Sequence, residues 1–89
     1  MCSSDLREAG TLMTLGELRA KRNEARQAVE LLTQSLALWR EVHDRDHEAY
    51  TLSQLAVNYT VLGDQATARE HQRLAFSLHP WLLTLPAKR

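Results

Sequence analysis

The sequence predicts an all-α fold in which two antiparallel helical hairpins stack as a short α-solenoid. The first observation behind this prediction is an internal repeat: segment 8–16 matches segment 48–56, forty residues later, at a Glu, an Ala, a Thr and two Leu. The second is that apolar residues recur at three- and four-residue spacing, which gives each helix one apolar face. The third is a turn-forming residue near the middle of each unit, Asn23 in the first and Gly63 in the second.

The second unit shows the helical pattern most clearly. The apolar face of its first helix consists of Ala49, Leu52, Leu55, Ala56, Tyr59 and Leu62. Gly63 suits the left-handed residue just past a helix, and Asp64 suits the N-cap of the next helix. That next helix continues through Ala68, Ala75 and Leu78. Pro80 lies just past its end, where a proline blocks continuation without breaking an existing hydrogen bond.

The first unit follows the same plan, with Asn23 at its turn. The apolar stripe of its second helix consists of Ala25, Ala28, Val29, Leu32, Leu36, Trp39 and Val42. Segment 43–46 is predicted to separate the two hairpins, with Asp44 or Asp46 available to cap a helix that begins near His47.

Small residues indicate how the helices pair. Gly16 or Ala56 on the first helix and Ala28 or Ala68 on the second lack bulk, so the helix axes can approach closely there. A single hairpin cannot bury its apolar face alone, and stacking of the next hairpin completes the core.

The repeat divides the chain into four segments. They are 1–6 as an adapter-derived scar, 7–46 as the first repeat with the inter-repeat loop, 47–80 as the second repeat, and 81–89 as a capping segment and tail. Residues 1–6 resemble the translation of a common sequencing adapter; a genuine short N-terminal tail is the alternative. After Pro80, Trp81 and the leucines that follow it are available to fold back as a short C-terminal capping helix.

Composition excludes several function classes. Eleven basic and eleven acidic residues cancel, so no net charge draws the chain to nucleic acid or to an anionic membrane. No apolar stretch approaches the roughly 20 residues that a membrane-spanning helix needs. No secretory signal is visible, so a cytoplasmic location is expected by default. Cys2 has no partner for an internal disulfide.

No motif for catalysis, metal binding or cofactor binding emerges. His43 and His47 have the i, i+4 spacing of two helical metal ligands, but they fall where the helix is predicted to break. There is no Gly-rich phosphate loop and no nucleophile elbow, so no enzyme is predicted. A basic cluster around the first turn, from Arg19 to Arg26, is interspersed with Glu and is interpreted as a solvated turn rather than a nucleic-acid site.

The repeat resembles the tetratricopeptide family, whose basic unit has thirty-four residues. The second unit carries its pattern at Leu55-Ala56, Tyr59, Leu62-Gly63-Asp64, Ala68, Ala75 and Pro80. The first unit fits at Leu15-Gly16, Ala28, Leu32 and Ser35, although Arg19 stands where the family prefers Tyr. The forty-residue period is similar to a longer variant with an extended second helix and loop.

The resemblance implies a superhelix whose concave wall, built from the first helix of each unit, holds a peptide or a partner helix. The residues expected on that wall are Met13, Glu17, Ala20, Lys21, Tyr50, Ser53, Val57, Thr60 and Val61. Glu17 and Val57 occupy positions where a carboxylate-gripping member needs Asn, so that role is not expected.

Two functions follow from the resemblance. The first is a non-catalytic protein–protein interaction scaffold, the C-terminal fragment of a longer array. The alternative is a regulatory repeat segment of a large bacterial signalling ATPase or transcriptional regulator, without binding activity of its own; segment 35–45 resembles the inter-repeat segments of such arrays. Two units fall short of the roughly three that repeat arrays need, so marginal stability or self-association through the exposed first-helix face is expected.

Overall fold

The computed structural model describes residues 3–78 as four helices joined by three-residue turns. The helices are α1 (Ser3–Lys21), α2 (Ala25–Glu41), α3 (Arg45–Val61) and α4 (Gln65–Leu78). Helix α1 packs on α2, α3 packs on α4, and contacts between α2 and α3 join the two hairpins. The predicted all-α fold of two helical hairpins is therefore confirmed. The predicted capping helix in 81–89 lies outside the described residues.

All three turns share one geometry, and the residue at its centre recurs every twenty positions. Asn23, His43 and Gly63 have φ values of 65°, 60° and 88°, in the left-handed region. In each turn this residue's amide donates to the carbonyl three residues back, and the next amide donates five residues back, as from Asp64 to Tyr59 at 2.9 Å. This is the Schellman arrangement that closes helix C-termini. Asn23 and Gly63 were predicted in this role, but His43 was not.

Equal turns correct the expectation of a long inter-repeat loop. Only residues 42–44 separate α2 from α3, and α3 begins at Arg45 rather than near His47. Helices α2 and α3 each have 17 residues. The forty-residue period is therefore long because its helices are long, while the connection between hairpins is as short as the turn within each hairpin. Helix α1 begins at Ser3, so residues 3–6 of the segment interpreted as a scar continue the first helix.

The residue after each left-handed position is acidic and immediately precedes the next helix. The Asp44 carboxylate accepts a hydrogen bond from the His47 amide at 3.1 Å, so Asp44 rather than Asp46 is the N-cap of α3. Asp64 accepts from the Thr67 amide at 3.1 Å in the same way. Glu24 has a longer side chain that makes no cap hydrogen bond and instead pairs with Arg19 at 2.9 Å.

Capping hydrogen bonds also lower the pKa of both aspartates. Partial burial pushes the pKa of Asp44 upward, but hydrogen bonds from the His47 amide and ring outweigh it, and the net pKa lies below the ordinary 3.8. The pKa of Asp64 is lowered chiefly by hydrogen bonding to the Thr67 side chain and amide. A lowered folded-state pKa stabilises the fold above the unfolded-state value, and this contribution is lost as pH falls through the folded-state value.

We expect Asp44→Ala to reduce the free energy of unfolding by about 1 kcal/mol at neutral pH, the usual effect of losing an N-cap. Glu24→Ala is the matched control: it removes an acidic residue from the same turn position, but no cap hydrogen bond, and should change stability much less. Urea denaturation followed by circular dichroism measures both. The difference between wild type and Asp44→Ala should shrink as pH falls below the ordinary pKa of 3.8 and through the lowered folded-state pKa of Asp44. An equal loss in both variants would contradict the capping role.

The core lies between the hairpins and draws on α2, α3 and α4. Its central cluster consists of Ala28, Leu32, Leu36, Leu52, Leu55 and Ala75. Gly16 lets α1 reach this core, because a Cβ there would lie 2.8 Å from Leu32 Cγ. The buried Ser35 hydroxyl donates to the Ala9 carbonyl at 2.8 Å and satisfies its polarity within the first hairpin.

Candidate functional site

A groove runs between α1 and α3, the first helices of the two hairpins. It has a volume of about 290 Å³ and is open to solvent. Its lining consists of Glu17, Ala20 and Lys21 from α1 with Tyr50 and Gln54 from α3. Four of these five belong to the concave wall expected from the sequence. Stacking of the hairpins therefore brings residues that are far apart along the chain onto one surface.

One hydrogen bond joins the hairpins across this groove. The Tyr50 hydroxyl donates to Glu17 Oε2 at 2.7 Å. Hydrogen bonding to the Glu17 carboxylate, together with partial burial, raises the pKa of Tyr50 above its ordinary value of 10.0. Tyr50 is therefore a neutral hydrogen-bond donor throughout the physiological range, and it holds the Glu17 carboxylate toward the groove.

The other expected wall residues have varied surroundings. Met13 is half-buried, and its Sδ accepts a hydrogen bond from the Thr51 hydroxyl at 3.5 Å. The hydroxyls of Ser53 and Thr60 donate to carbonyls of their own helix, so their donor protons are already used. These three residues do not line the groove.

Val57 and Val61 lie further along α3, and 60% and 68% of their surfaces are exposed. They follow Gln54 at helical spacing and form an apolar continuation of the groove's α3 edge. Gln54 is not among the wall residues predicted from the sequence. The signal that could have found it is its position four residues after Tyr50, one turn along the same helical face.

A second, wider cavity of about 490 Å³ lies beside the first half of α1. It is lined by α1 side chains together with Trp39 of α2 and His47 of α3. The two rings stack with centroids 4.3 Å apart, and beside them Arg40 of α2 pairs with Glu48 of α3 at 2.9 Å. Trp39 Nε1 is buried and has no hydrogen-bond partner among the described residues. These contacts hold α2 against α3.

Within residues 3–78, no group of three or more His, Cys, Asp and Glu side chains lies close enough together to hold a metal ion. His43 forms the left-handed turn, and the His47 ring nitrogen Nδ1 lies 2.8 Å from Asp44 Oδ2.

The groove between α1 and α3 offers a carboxylate, an ammonium, an amide and a phenol, which suit recognition by hydrogen bonds and ion pairs. Over residues 3–78, none of the helices is both long and apolar enough to cross a bilayer.

Comparison with known proteins identifies one match. A protein-family model described as tetratricopeptide repeat matches residues 7–80, which span both hairpins. No curated protein and no solved structure matches the chain.

Proposed function

Because the chain belongs to the tetratricopeptide repeat family, a family of helical-repeat modules for protein–protein interaction, we propose that it is a non-catalytic scaffold that holds an extended peptide in the groove between α1 and α3. The observation that carries this proposal is the hydrogen bond from Tyr50 to Glu17, which joins the two hairpins across the groove. In this proposal the scaffold works in the cytoplasm as part of a longer array.

The chemistry of the groove describes the peptide that fits it. The Gln54 amide can pair with the backbone of an extended segment, because an amide both donates and accepts. Glu17 and Lys21 carry opposite charges one helical turn apart, which favours a peptide with a matching pair of charged side chains. Val57 and Val61, just beyond the groove, offer apolar surface to one further side chain.

We test this proposal by selecting peptides from a displayed random library on the full chain. The selected peptides should bind about tenfold or more weakly to Tyr50→Ala and to Lys21→Glu, since each variant removes a central contact. Arg73→Ala serves as control, because Arg73 lies on α4, is exposed and, among the residues that the structure describes, pairs with Glu70 of its own helix. Selected peptides that bind equally well to the groove variants would contradict the proposed site.

The second candidate is a regulatory repeat segment of a larger bacterial signalling ATPase or transcriptional regulator, with no binding activity of its own. The observation that favours it is the exposure of Leu15 and Leu18 on α1, on a side of the helix that a further hairpin would cover. Failure of the library to enrich any peptide on a folded chain would favour this second function. Neighbouring repeats, or a second copy that meets the exposed first-helix face, are its partners.

A further inference from the structure

Helix α1 exposes a face that α3 buries. Thr11, Leu15 and Leu18, here named the leading face, lie forty residues before Thr51, Leu55 and Asn58. Leu15 is 41% exposed whereas Leu55 is 1% exposed, and Leu18 is 51% exposed whereas Asn58 is 2% exposed. The same helical face is therefore open in the first hairpin and covered in the second.

In the second hairpin, this face of α3 is covered by the first hairpin. Leu55 belongs to the same core cluster as Leu32 and Leu36 of α2. The Thr51 hydroxyl donates a hydrogen bond to Met13 Sδ of α1. The surface that covers the α3 face thus combines an apolar edge of α1 with an apolar stripe of α2.

The second hairpin presents the corresponding covering surface at the opposite end of the stack. Ser53, Gln72 and Phe76 lie forty residues after Met13, Leu32 and Leu36. These three residues, together with Val57 and Val61, are here named the trailing face. Val57 and Val61 stand where α1 carries Glu17 and Lys21, the groove residues beside α3, and both valines are largely exposed. At these two positions the trailing face on α3 is therefore more apolar than the corresponding surface of α1.

We propose that a second copy of this chain docks head to tail, with the trailing face of one copy covering the leading face of the next. Repeat symmetry is the argument for this occupant: each exposed face is the counterpart of one half of the interface already formed between the two hairpins. One contact then covers the exposed leucines of one copy and brings the exposed valines of the other beside α1 of that copy. Two leading faces pairing with each other would leave Val57 and Val61 without this neighbour.

The internal interface also indicates the strength and form of this contact. Gln72 replaces Leu32 opposite the leading face, so the contact between copies is weaker than the contact within a chain. A head-to-tail contact uses two different surfaces and leaves one of each free at the ends, so copies add in a row rather than closing as a dimer. Such a row also continues the groove, because Val57 and Val61 of one copy come beside Gly10 and Thr14 of the next. The inference does not depend on which peptide the groove holds.

The test uses two full-length double variants, each blocking one face with charge. Leu15→Lys with Leu18→Lys blocks the leading face, and Gln72→Lys with Phe76→Lys blocks the trailing face, because Gln72 and Phe76 stand where Leu32 and Leu36 join the internal core. Leu15, Leu18 and Gln72 are exposed and Phe76 is half-buried, so we expect both variants to keep the helical circular dichroism of the wild type. Thr33→Lys with Gln34→Lys is the matched control, because it adds the same charge to exposed positions of α2 outside both faces.

Sedimentation velocity up to millimolar protein should show wild type and the control growing beyond dimers as concentration rises. Each blocked variant alone should remain monomeric, with its dissociation constant raised more than tenfold. An equimolar mixture of the two blocked variants should form dimers and nothing larger, because only one intact pair of faces remains. Monomeric wild type at every concentration would overturn the inference. So would dimers that survive blocking of the trailing face but not of the leading face, since those pair through two leading faces.

Discussion

Leu55→Ala is expected to reduce the free energy of unfolding by about 2–5 kcal/mol, the range for truncating a buried leucine that leaves a cavity. Leu55 is 1% exposed and belongs to the cluster that joins α2, α3 and α4. Its side chain therefore contributes to the contact within the second hairpin and to the contact between hairpins. Since a small domain has only about 5–15 kcal/mol of stability in total, this variant should be largely unfolded at modest urea concentrations.

Leu15→Ala is the matched control, because it makes the same chemical change at the same position of the repeat. Leu15 is 41% exposed, so its truncation should cost less than about 1 kcal/mol in dilute protein. Urea denaturation of both variants, followed by circular dichroism, measures the difference. Equal losses would show that the leading face is covered even in dilute solution. A cost for Leu15→Ala that grows with protein concentration would instead match the head-to-tail contact.

Gly16→Ala is expected to destabilise the chain even though alanine is the better helix former. The added Cβ would lie 2.8 Å from Leu32 Cγ and 3.4 Å from the Ala28 carbonyl oxygen. Leu32 is fully buried, and its Cγ is a branch point rather than a flexible end, so α1 and α2 must move apart. Overpacking of this kind costs about 1–3 kcal/mol and outweighs the gain of about 1 kcal/mol in helix propensity.

Gly10→Ala tests the same substitution on the same helix without the close neighbour. Within the described part of the chain, no atom outside the local helix backbone lies within 4 Å of a Cβ built at Gly10, so only helix propensity changes. We expect stabilisation by about 0.5–1 kcal/mol, opposite in sign to Gly16→Ala. Thermal and urea denaturation give both values. In a Leu32→Ala background, Gly16→Ala should lose most of its cost, and a cost that persisted there would rule out the contact with Leu32 as its cause.

Several features of the fold were predictable because they depend on neighbours in sequence. Gly63 and Asp64 have backbone and side-chain preferences that end one helix and begin the next, and the structure uses both in these roles. His43 was not predicted at a left-handed position, although histidine is enriched there among non-glycine residues, because segment 43–46 was interpreted as a loop between the hairpins. Its conformation follows from the capping hydrogen bonds on both sides, from His43 and Asp44 amides to α2 carbonyls and from the His47 amide to Asp44.

The candidate groove was predictable in part. Glu17, Lys21 and Tyr50 were expected on one wall from their repeat positions, and the structure places all three around the groove. The hydrogen bond from Tyr50 to Glu17 was not predictable, because it depends on how far one hairpin is shifted along the other. Ser53 and Thr60 have suitable repeat positions, but their hydroxyls bond to carbonyls of their own helix.

The repeat period, the number of helices and the turns at Asn23 and Gly63 follow from the sequence alone, because helical spacing and turn preferences act over a few neighbouring residues. Burial at a given repeat position does not. Leu15 and Leu55 have the same residue type and the same place in their helices, yet one is exposed and the other is buried. The physical reason is that burial requires a second surface, and only the stacking of one hairpin on the other decides which leucine has a neighbour.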